Sequence, residues 1–290
     1  MNDRRKVYEA LQGASSFLKD KGREEAAARI LLQHELGVTY SGLLASMREE
    51  ISEGVFQRFW RNIELHGAGT PVQHLTGSEE FYGRTFQVNK DVLIPRPETE
   101  ELVEEALQLI ERHLSGRQLA IADIGTGSGV IAVTMKCELP AALVAATDIS
   151  EAALATAKEN AKQNGAEVIF QQGDLAAPLK GRKWNVILSN PPYIAYSEAP
   201  GLSDTVHDFE PHEALFAEKE GLALYEEMAR QLPDIVDDQC IIGFEIGHTQ
   251  GSAVAQLLKE AFPQAKVYVK KDINKNDRMV FALLNELPTN

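Results

Sequence analysis

The stretch Asn190-Pro191-Pro192-Tyr193 combines residue types that could hold a planar NH2 group for chemistry. It follows the apolar run 184–188, which is typical of a buried strand. Each proline lacks a backbone N–H and has a fixed φ, and the residue before a proline is pushed towards extended geometry. The corner therefore presents one amide side chain, bare carbonyls and one aromatic ring. An ordinary proline-rich strand exit could have the same residues, so the surroundings must decide.

The segments that position this corner alternate between strand and helix from about residue 117 onward. Apolar strands are predicted at 119–124, 142–147, 168–171, 183–189, 240–246, 266–269 and 279–284. Helical patterns at 130–139, 151–163, 221–232 and 250–261 lie between them. This alternation predicts an α/β fold with a doubly wound, mostly parallel, seven-stranded sheet. In such sheets, ligands bind beyond the carboxyl ends of the strands.

Four of these strand ends carry groups that could bind a ligand: Gly125-Thr126-Gly127-Ser128-Gly129, Asp148, Asp174-Leu175 and Asn190. The glycine loop lacks the dinucleotide fingerprint, because Val130 stands where its last glycine is needed, and it lacks a P-loop lysine. Asp123, just before the loop, adds negative charge. The loop is therefore better suited to a cationic ligand than to a phosphate.

Asp148 lies where an acid of nucleotide-binding folds accepts hydrogen bonds from ribose hydroxyls, although it could also be a helix N-terminal charge. Asp174 could meet the exocyclic amine of adenine and Leu175 its ring, unless Gly173-Asp174 is an ordinary turn. A cationic nucleoside with a free ribose is S-adenosylmethionine. We therefore expect this cofactor, with S-adenosylhomocysteine as its product.

A methyl donor beside an NH2-holding corner predicts methyl transfer to an amide or amine nitrogen. Asn190 Oδ1 and the Pro191 carbonyl would each accept one N–H and aim the nitrogen lone pair. Such positioning can supply up to roughly 7–11 kcal/mol of the barrier, and aimed acceptors add an electrostatic contribution. Pro192 would shape the corner, and Tyr193 would pack on the plane of the acceptor.

Composition restricts the remaining classes. The net charge is −14, and no large Lys/Arg cluster is present, so we expect no stable nucleic-acid binding. No apolar run is long enough to span a membrane, and residues 1–6 are polar without a secretory apolar region behind them. Cys137 and Cys240 fit no metal or redox spacing. We expect a cytoplasmic protein with free thiols and no metal site.

The pattern of apolar and turn residues changes along the chain and divides it into three parts. Residues 1–75 carry helical apolar spacing and predict a small helical bundle, and residues 76–92 predict a hairpin linker. Residues 93–290 form the predicted methyltransferase domain. Arg96, between Pro95 and Pro97, could be an ion-pair partner or a wall of a ligand cleft.

The glycine loop, Asp148 and Asn190–Tyr193 together resemble the class I methyltransferases of the N-P-P-Y type. Further stretches resemble one family, the HemK-type release-factor glutamine N5-methyltransferases: Phe81-Tyr82-Gly83, Ile94–Glu100, Phe209-Glu210-Pro211, Phe244–Gly247 and Lys271–Arg278. The resemblance spans essentially the whole chain. It implies methylation of the glutamine in the Gly-Gly-Gln loop of bacterial peptide chain release factors, by a monomer whose helical domain docks the substrate. The cofactor would lie on the loop, Asp148, Asp174 and Leu175, and the glutamine amide on Asn190–Tyr193.

The chain departs from the family pattern at two positions. Many relatives have an aromatic residue where Leu175 stands, which weakens stacking on adenine. Many have glycine where Lys275 stands, and Asn274 or Asn276 could take up the resulting turn strain. Neither position affects the methyl-transfer chemistry.

Other functions share parts of this pattern. An adenine-N6 methyltransferase on DNA or RNA would use the same corner on a flipped base, but it needs a basic, aromatic recognition domain. A non-catalytic S-adenosylmethionine-binding scaffold would have lost the asparagine or a loop glycine. A glutamine-containing loop on another protein is a further possible acceptor.

Overall fold

The structure is a computed structural model that describes residues 5–285. Residues 1–4, which entered the expectation about a secretory leader, and residues 286–290 lie outside the described part. The chain forms two compact units. The first takes residues up to Ser78 together with Ser203–Phe209, and the second takes Glu79–Leu202 and the chain from Glu210 onward. The roles assigned to residues 1–75, 76–92 and 93–290 stay predictions.

Eleven α-helices occur in the described residues: α1 Val7–Asp20, α2 Ala26–Leu36, α3 Tyr40–Ser46, α4 Glu53–Gly67, α5 Val72–Thr76, α6 Pro97–His113, α7 Val130–Glu138, α8 Glu151–Gln163, α9 Asp204–His207, α10 Ala223–Gln231 and α11 Gly251–Ala261. The strands are β1 Ser78–Phe81, β2 Arg84–Gln87, β3 Ala120–Ile124, β4 Leu143–Asp148, β5 Ile169–Gln172, β6 Trp184–Ser189, β7 Ile194–Ala195, β8 Phe216–Ala217, β9 Val236–Glu245, β10 Lys266–Lys271 and β11 Asp277–Leu284. None of the helices described is long and apolar enough to cross a bilayer.

The first unit contains α1–α5 and the short α9. Apolar side chains at helical spacing, among them Leu18, Leu31, Phe59 and Ile63, are fully buried against one another. Trp60 lies 5.8 Å from Phe56 between ring centroids and packs at the edge of this core. The amphipathic helices therefore bury their apolar stripes in one bundle.

The second unit is built on a seven-stranded sheet with the order β10-β11-β9-β6-β3-β4-β5. Strand β11 is antiparallel to β10 and β9, and the remaining neighbours are parallel. The predicted doubly wound, mostly parallel sheet is confirmed. The predicted start of β9 at residue 240 is wrong by four residues, because the polar segment Val236–Gln239 already belongs to the strand.

Alternate residues of β3, an inner strand, face opposite sides of the sheet, as the period of two requires. On β3, Ile121 joins the core formed with α6 and α7, whereas Ala120 and Ala122 join the core formed with α10 and α11. Both faces are covered, so the carboxyl ends of the strands form the open edge. Asp123, Asp148, Asn190 and Glu245 all lie at this edge.

Two turns bear on the sequence expectations. Residues 82 and 83 join β1 to β2 with positive φ at both Tyr82 and Gly83, as a tight hairpin requires. Between β10 and β11, Lys275 itself has the positive φ of 67°. The expectation that Asn274 or Asn276 takes up this strain is wrong, because the hydrogen bonds of Asp272 to residues 275 and 276 place the left-handed residue at 275.

Candidate active site

A cleft of about 580 Å³ opens at the carboxyl ends of β3, β4 and β6. Most of the residues that the sequence predicts for the site line it: Gly125, Thr126, Gly127, Ser128, Asp148, Asp174, Leu175, Asn190 and Pro192. The structure therefore brings together residues that are distant in the sequence, such as Gly125 and Pro192, which are 67 positions apart. Gly129, Pro191 and Tyr193 are not part of the cleft wall.

The three loop glycines have different roles. At Gly125 and Gly127 φ is 71° and 55°, and a Cβ at either position would meet no atom within 4 Å. A Cβ on Gly129 would instead lie 3.0 Å from the Cβ of Ala157 on α8. Gly125 and Gly127 thus keep space for a ligand, whereas Gly129, predicted to bind the cofactor, allows α8 to pack closely behind the loop.

Asp148 holds the loop from the next strand. Its Oδ2 accepts a hydrogen bond from the Gly127 N–H at 2.8 Å, and its Oδ1 accepts one from the Ser150 N–H at 2.9 Å. Ser150 in turn caps α8, as its hydroxyl accepts from Ala153 N–H. The carboxylate is thereby fixed in orientation while it still lines the cleft.

Asp123 is fully buried beneath the loop, and burial raises the pKa of its carboxyl to about 7. The Thr126 hydroxyl donates to Oδ2 at 2.5 Å, and the Ala132 N–H donates to the same oxygen at 3.1 Å. Among the described residues, Oδ1 has no hydrogen-bond partner. An acid with one unused oxygen therefore lies directly behind the glycine loop.

The turn after β5 presents Leu175 with a positive φ of 46°. The Thr147 hydroxyl donates to the Leu175 carbonyl at 2.8 Å, and the Gln231 Oε1 accepts from the Ala176 N–H at 2.9 Å. These two bonds hold the strained turn open to the cleft. Asp174, beside it, is exposed.

Asn190 is linked to the interior by two hydrogen bonds in series. Its Nδ2 donates to the Thr99 hydroxyl at 3.0 Å, and that hydroxyl donates to the Glu245 Oε2 at 2.7 Å. Thr99 and Glu245 are buried, and burial raises the pKa of Glu245 to about 7. Within residues 5–285, no donor is paired with the Asn190 Oδ1, so this oxygen is available at the cleft.

Tyr193 differs from the expectation that it packs on the acceptor. Its ring packs against the core beneath α10 and α11, and its hydroxyl lies 3.4 Å from the Glu245 Oε1. Burial raises the pKa of Tyr193 well above its usual range. Tyr193 therefore supports the corner from behind.

The aromatic wall of the cleft comes from residues that the sequence reasoning missed. Tyr196 is 61% exposed and stacks on Phe216, with ring centroids 5.2 Å apart. The short parallel pair β7 and β8 brings the two rings together. The position of Tyr196, three residues after Tyr193, was the available signal, but the β7–β8 pairing has no local sequence signature.

Arg96 fulfils both roles considered from the sequence. Its Nη2 donates to the Glu210 Oε1 at 2.5 Å, and the side chain also lines the cleft. The Ile94 N–H donates to the other oxygen of the buried Glu210 at 3.1 Å. The ion pair thus fixes the segment that leads into α6, which carries Thr99.

The chain is similar to known methyltransferases over nearly its whole length. The family model "Methyltransferase small domain" matches residues 100–206, and "PrmC N-terminal domain" matches residues 9–77. The release factor glutamine methyltransferase of Bacillus cereus is 49% identical over 96% of this chain and 99% of its own length. That of Bacillus subtilis is 46% identical over 97% and 98%. A methyltransferase structure from Pyrococcus furiosus, 15% identical, covers 80% of this chain and 98% of its own with a TM-score of 0.51, which supports the fold alone.

Proposed function

The chain belongs to the release factor glutamine methyltransferase family and is a protein-glutamine N5-methyltransferase, and we propose that its cleft methylates the glutamine of a Gly-Gly-Gln loop in a bacterial peptide chain release factor. The observation that carries this proposal is the Asn190 amide. Its Nδ2 is occupied by Thr99, and its Oδ1 is left at the cleft to accept an N–H of the substrate amide.

We further propose that S-adenosylmethionine is the methyl donor. The residues present fit this cofactor in three respects. Gly125 and Gly127 leave a cradle that side chains would fill, Asp123 has a buried oxygen that no group in residues 5–285 pairs with, and Asp148 lies at the next strand end. When bound, S-adenosylmethionine supplies an electrophilic methyl group on a positively charged sulfur. Asp123 would attract its cationic part. Asp148 would accept hydrogen bonds from its ribose hydroxyls.

The corner residues act on the glutamine amide. An amide nitrogen is a weak nucleophile because its lone pair is delocalised into the carbonyl. Asn190 Oδ1, which faces the cleft, would accept one of its N–H groups, aim the lone pair and stabilise the positive charge that develops on nitrogen. Positioning of this kind can contribute up to roughly 7–11 kcal/mol, and no strong base is needed because the proton can leave to water afterwards.

The surroundings of the cleft favour a protein acceptor over a nucleic acid. The net charge of the chain is −14. Glu213 and Glu218 line the cleft, and the guanidinium of Arg96 is already paired with Glu210. Apart from Lys90, which also lines the cleft, a phosphate backbone would meet little free positive charge here, because nucleic-acid binding rests on Lys/Arg contacts to phosphates.

The helical part, residues 1–75, is proposed to dock the release factor. Tyr40 and Leu44 are 50% and 51% exposed on α3, and the Arg29 guanidinium lies 5.0 Å from the Tyr40 ring centroid. A double variant, Tyr40→Ser with Leu44→Ser, should raise KM for the release factor and leave S-adenosylmethionine affinity unchanged. An unchanged KM would contradict the docking role.

The central experiment uses S-adenosylmethionine with a labelled methyl group. The purified enzyme is incubated separately with release factor, with release factor whose loop glutamine is replaced by alanine, with other cytosolic proteins and with nucleic acid. We expect label only on intact release factor, and a loss of roughly 10²–10³-fold in kcat for Asn190→Ala, as for other aimed polar groups. Transfer to nucleic acid alone would overturn the proposal, and sedimentation of the same sample tests the expected monomer.

A further inference from the structure

We infer that Thr99 and Glu245 are positioning residues that determine which end of the Asn190 amide faces the acceptor. This inference rests on the proposed function, because it concerns the amide that would hold the substrate. Neither residue needs to touch the substrate amide for this role. Thr99 lies in the first turn of α6 and Glu245 ends β9, so the two come from opposite ends of the second unit's sequence.

The contact runs through one hydroxyl. Thr99 Oγ1 lies 3.0 Å from the Asn190 Nδ2 and 2.7 Å from the Glu245 Oε2. Thr99 is 2% exposed and Glu245 is 1% exposed, so water does not compete for these bonds. The Asn190 side chain therefore contacts the buried Thr99 hydroxyl on one side and faces the cleft on the other.

Proton counting gives the connection a direction. A threonine hydroxyl has one proton and two lone pairs, and an ionised carboxylate can only accept. Above about pH 7, where Glu245 is ionised, the Thr99 proton must therefore point to Glu245, which leaves a lone pair towards Asn190. Only the NH2 end of the Asn190 amide can pair with it. The Oδ1 end consequently faces the cleft, where an acceptor of N–H bonds is required.

The opposite orientation would be harmful to methyl transfer. If the Asn190 amide turned over, its NH2 group would face the NH2 group of the substrate glutamine, and two donors would meet without an acceptor. Asparagine by itself has little steric preference, because its oxygen and nitrogen are nearly the same size. The Thr99–Glu245 pair supplies the missing preference.

Charged groups from every neighbouring element bear on Glu245. Arg278 on β11 favours its ionised form, whereas Glu98 on α6 disfavours it, and burial disfavours it most. The Tyr193 hydroxyl faces Oε1, and the Tyr225 hydroxyl from α10 donates to the Glu245 carbonyl at 2.6 Å. Arg278 is itself held by Asp272 and by the Ile246 carbonyl. Burial outweighs the fixed cationic neighbour Arg278, so Glu245 is ionised only above about pH 7.

The kinetic test compares three changes at the pair with one matched control. Thr99→Val removes the hydroxyl at nearly constant volume, Thr99→Ser keeps it, and Glu245→Gln adds a donor that lets the Thr99 proton turn to Asn190. Thr134→Val makes the same change at a buried threonine of α7 whose hydroxyl has no partner in the described structure. Release-factor methylation and S-adenosylmethionine affinity are measured for each at pH 8, where Glu245 is ionised.

We expect Thr99→Val and Glu245→Gln to lower kcat roughly 10²-fold while S-adenosylmethionine affinity is kept. Thr99→Ser and Thr134→Val should stay close to the unmodified enzyme. Full activity of Thr99→Val, or an equal loss in Thr99→Ser, would overturn the inference, since the second result indicates packing alone. If Thr99→Val does not fold, Glu245→Gln serves as the test: a lowered kcat supports the inference, and an unchanged kcat contradicts it.

A measurement without turnover separates this inference from the proposed function. With asparagine labelled by 15N, NMR reports how fast the Asn190 Nδ2 protons exchange with water. One of them should be protected in the unmodified protein and in Thr99→Ser, and should exchange about fivefold or more faster in Thr99→Val. Absence of methylation by the unmodified enzyme would overturn the proposed function but leave this result standing. Equal exchange in all three proteins would overturn the inference alone.

Discussion

Gln250 holds the carbonyl of Tyr193, the last residue of the site corner, through a hydrogen bond of 2.8 Å from its Nε2. The same nitrogen donates to the Glu220 carbonyl at 3.1 Å, and the Gln250 Oε1 accepts from the Gly247 N–H at 3.0 Å. Gln250 is 7% exposed. The buried Gln250 amide therefore connects the corner by hydrogen bonds to the turn before α10 and to the residues that follow β9.

The space beside this bond allows no side chain at Gly221. A Cβ there would lie 2.0 Å from the Tyr193 oxygen and 2.5 Å from the Gln250 Nε2, and φ is +79°. We expect Gly221→Ala to lower the free energy of unfolding by roughly 2 kcal/mol or more, because both the collision and the backbone conformation are unfavourable. Urea denaturation followed by circular dichroism measures this.

Gly116→Ala is the matched control for Gly221→Ala. Gly116 has nearly the same φ, +78°, but a Cβ there would meet nothing within 4 Å. Its cost should be about 1 kcal/mol, the cost of the left-handed conformation alone. Equal costs for the two variants would show that the contact with Tyr193 is unimportant.

Gly127→Ala should weaken the binding of S-adenosylmethionine more than it weakens the fold. Its Cβ would project into open space at the cleft, and φ is +55°. We expect the Kd, measured by calorimetry, to rise at least about tenfold, which corresponds to roughly 1.4 kcal/mol of lost binding. A Kd equal to that of Gly116→Ala would place the cofactor away from this loop.

The pKa of Glu245 should make stability depend on pH. Because burial raises this pKa from 4.5 to about 7, the folded protein keeps a proton that the unfolded chain releases. The free energy of unfolding therefore has this contribution in full below pH 4.5 and loses it as pH rises to about 7. The loss is on the order of 3 kcal/mol. Urea denaturation at pH 5 and pH 8 should show it.

Glu245→Gln isolates this effect. The variant has no ionisable group at the position, whereas Asp123, whose pKa is also raised to about 7 by burial, still titrates in both proteins. The difference in unfolding free energy between the two pH values should therefore be smaller in the variant. The same pH difference in both proteins would mean that Glu245 does not hold the proton.

Lys275→Gly should stabilise the protein. Lys275 is exposed and has a φ of 67°, which a residue without a Cβ adopts without strain. The gain should be up to about 1 kcal/mol, reduced by the greater freedom of glycine in the unfolded chain. Lys180→Gly, at an exposed lysine with φ of −60°, should instead destabilise. Thermal unfolding of both variants checks the sign.

Much of the second unit could be predicted because its signals are local. Buried parallel strands are continuous apolar runs, and their carboxyl ends meet at one edge, so Asp148 and Asn190 could be placed together without a structure. The Ser150 cap and the start of α6 at Pro97 likewise follow from residue types at helix ends. The polar start of β9 was missed because it has no apolar pattern; its first residue, Val236, pairs with Trp184, and the register shifts before Ile241.

The orientation of individual side chains could not be predicted from local sequence patterns. The direction of the Tyr193 ring depends on the packing of α10 and α11, and the hydroxyl of Thr99 meets a carboxylate 146 residues away. Gly129 looks like the other loop glycines in sequence, yet its contact with Ala157 depends on how α8 crosses the loop. Such facts arise only when distant elements are brought together.

The helical unit draws its residues from two places in the chain, since Ser203–Phe209 belongs to it. Arg23 holds Asp204 by hydrogen bonds of 2.8 and 2.6 Å. Replacing the helical unit with that of a related enzyme therefore requires more than one junction near residue 78, because 203–209 must be replaced as well. A chimaera that takes its first 78 residues from a relative must take 203–209 from the same parent, and a protease cut at the junction should leave two pieces that elute together.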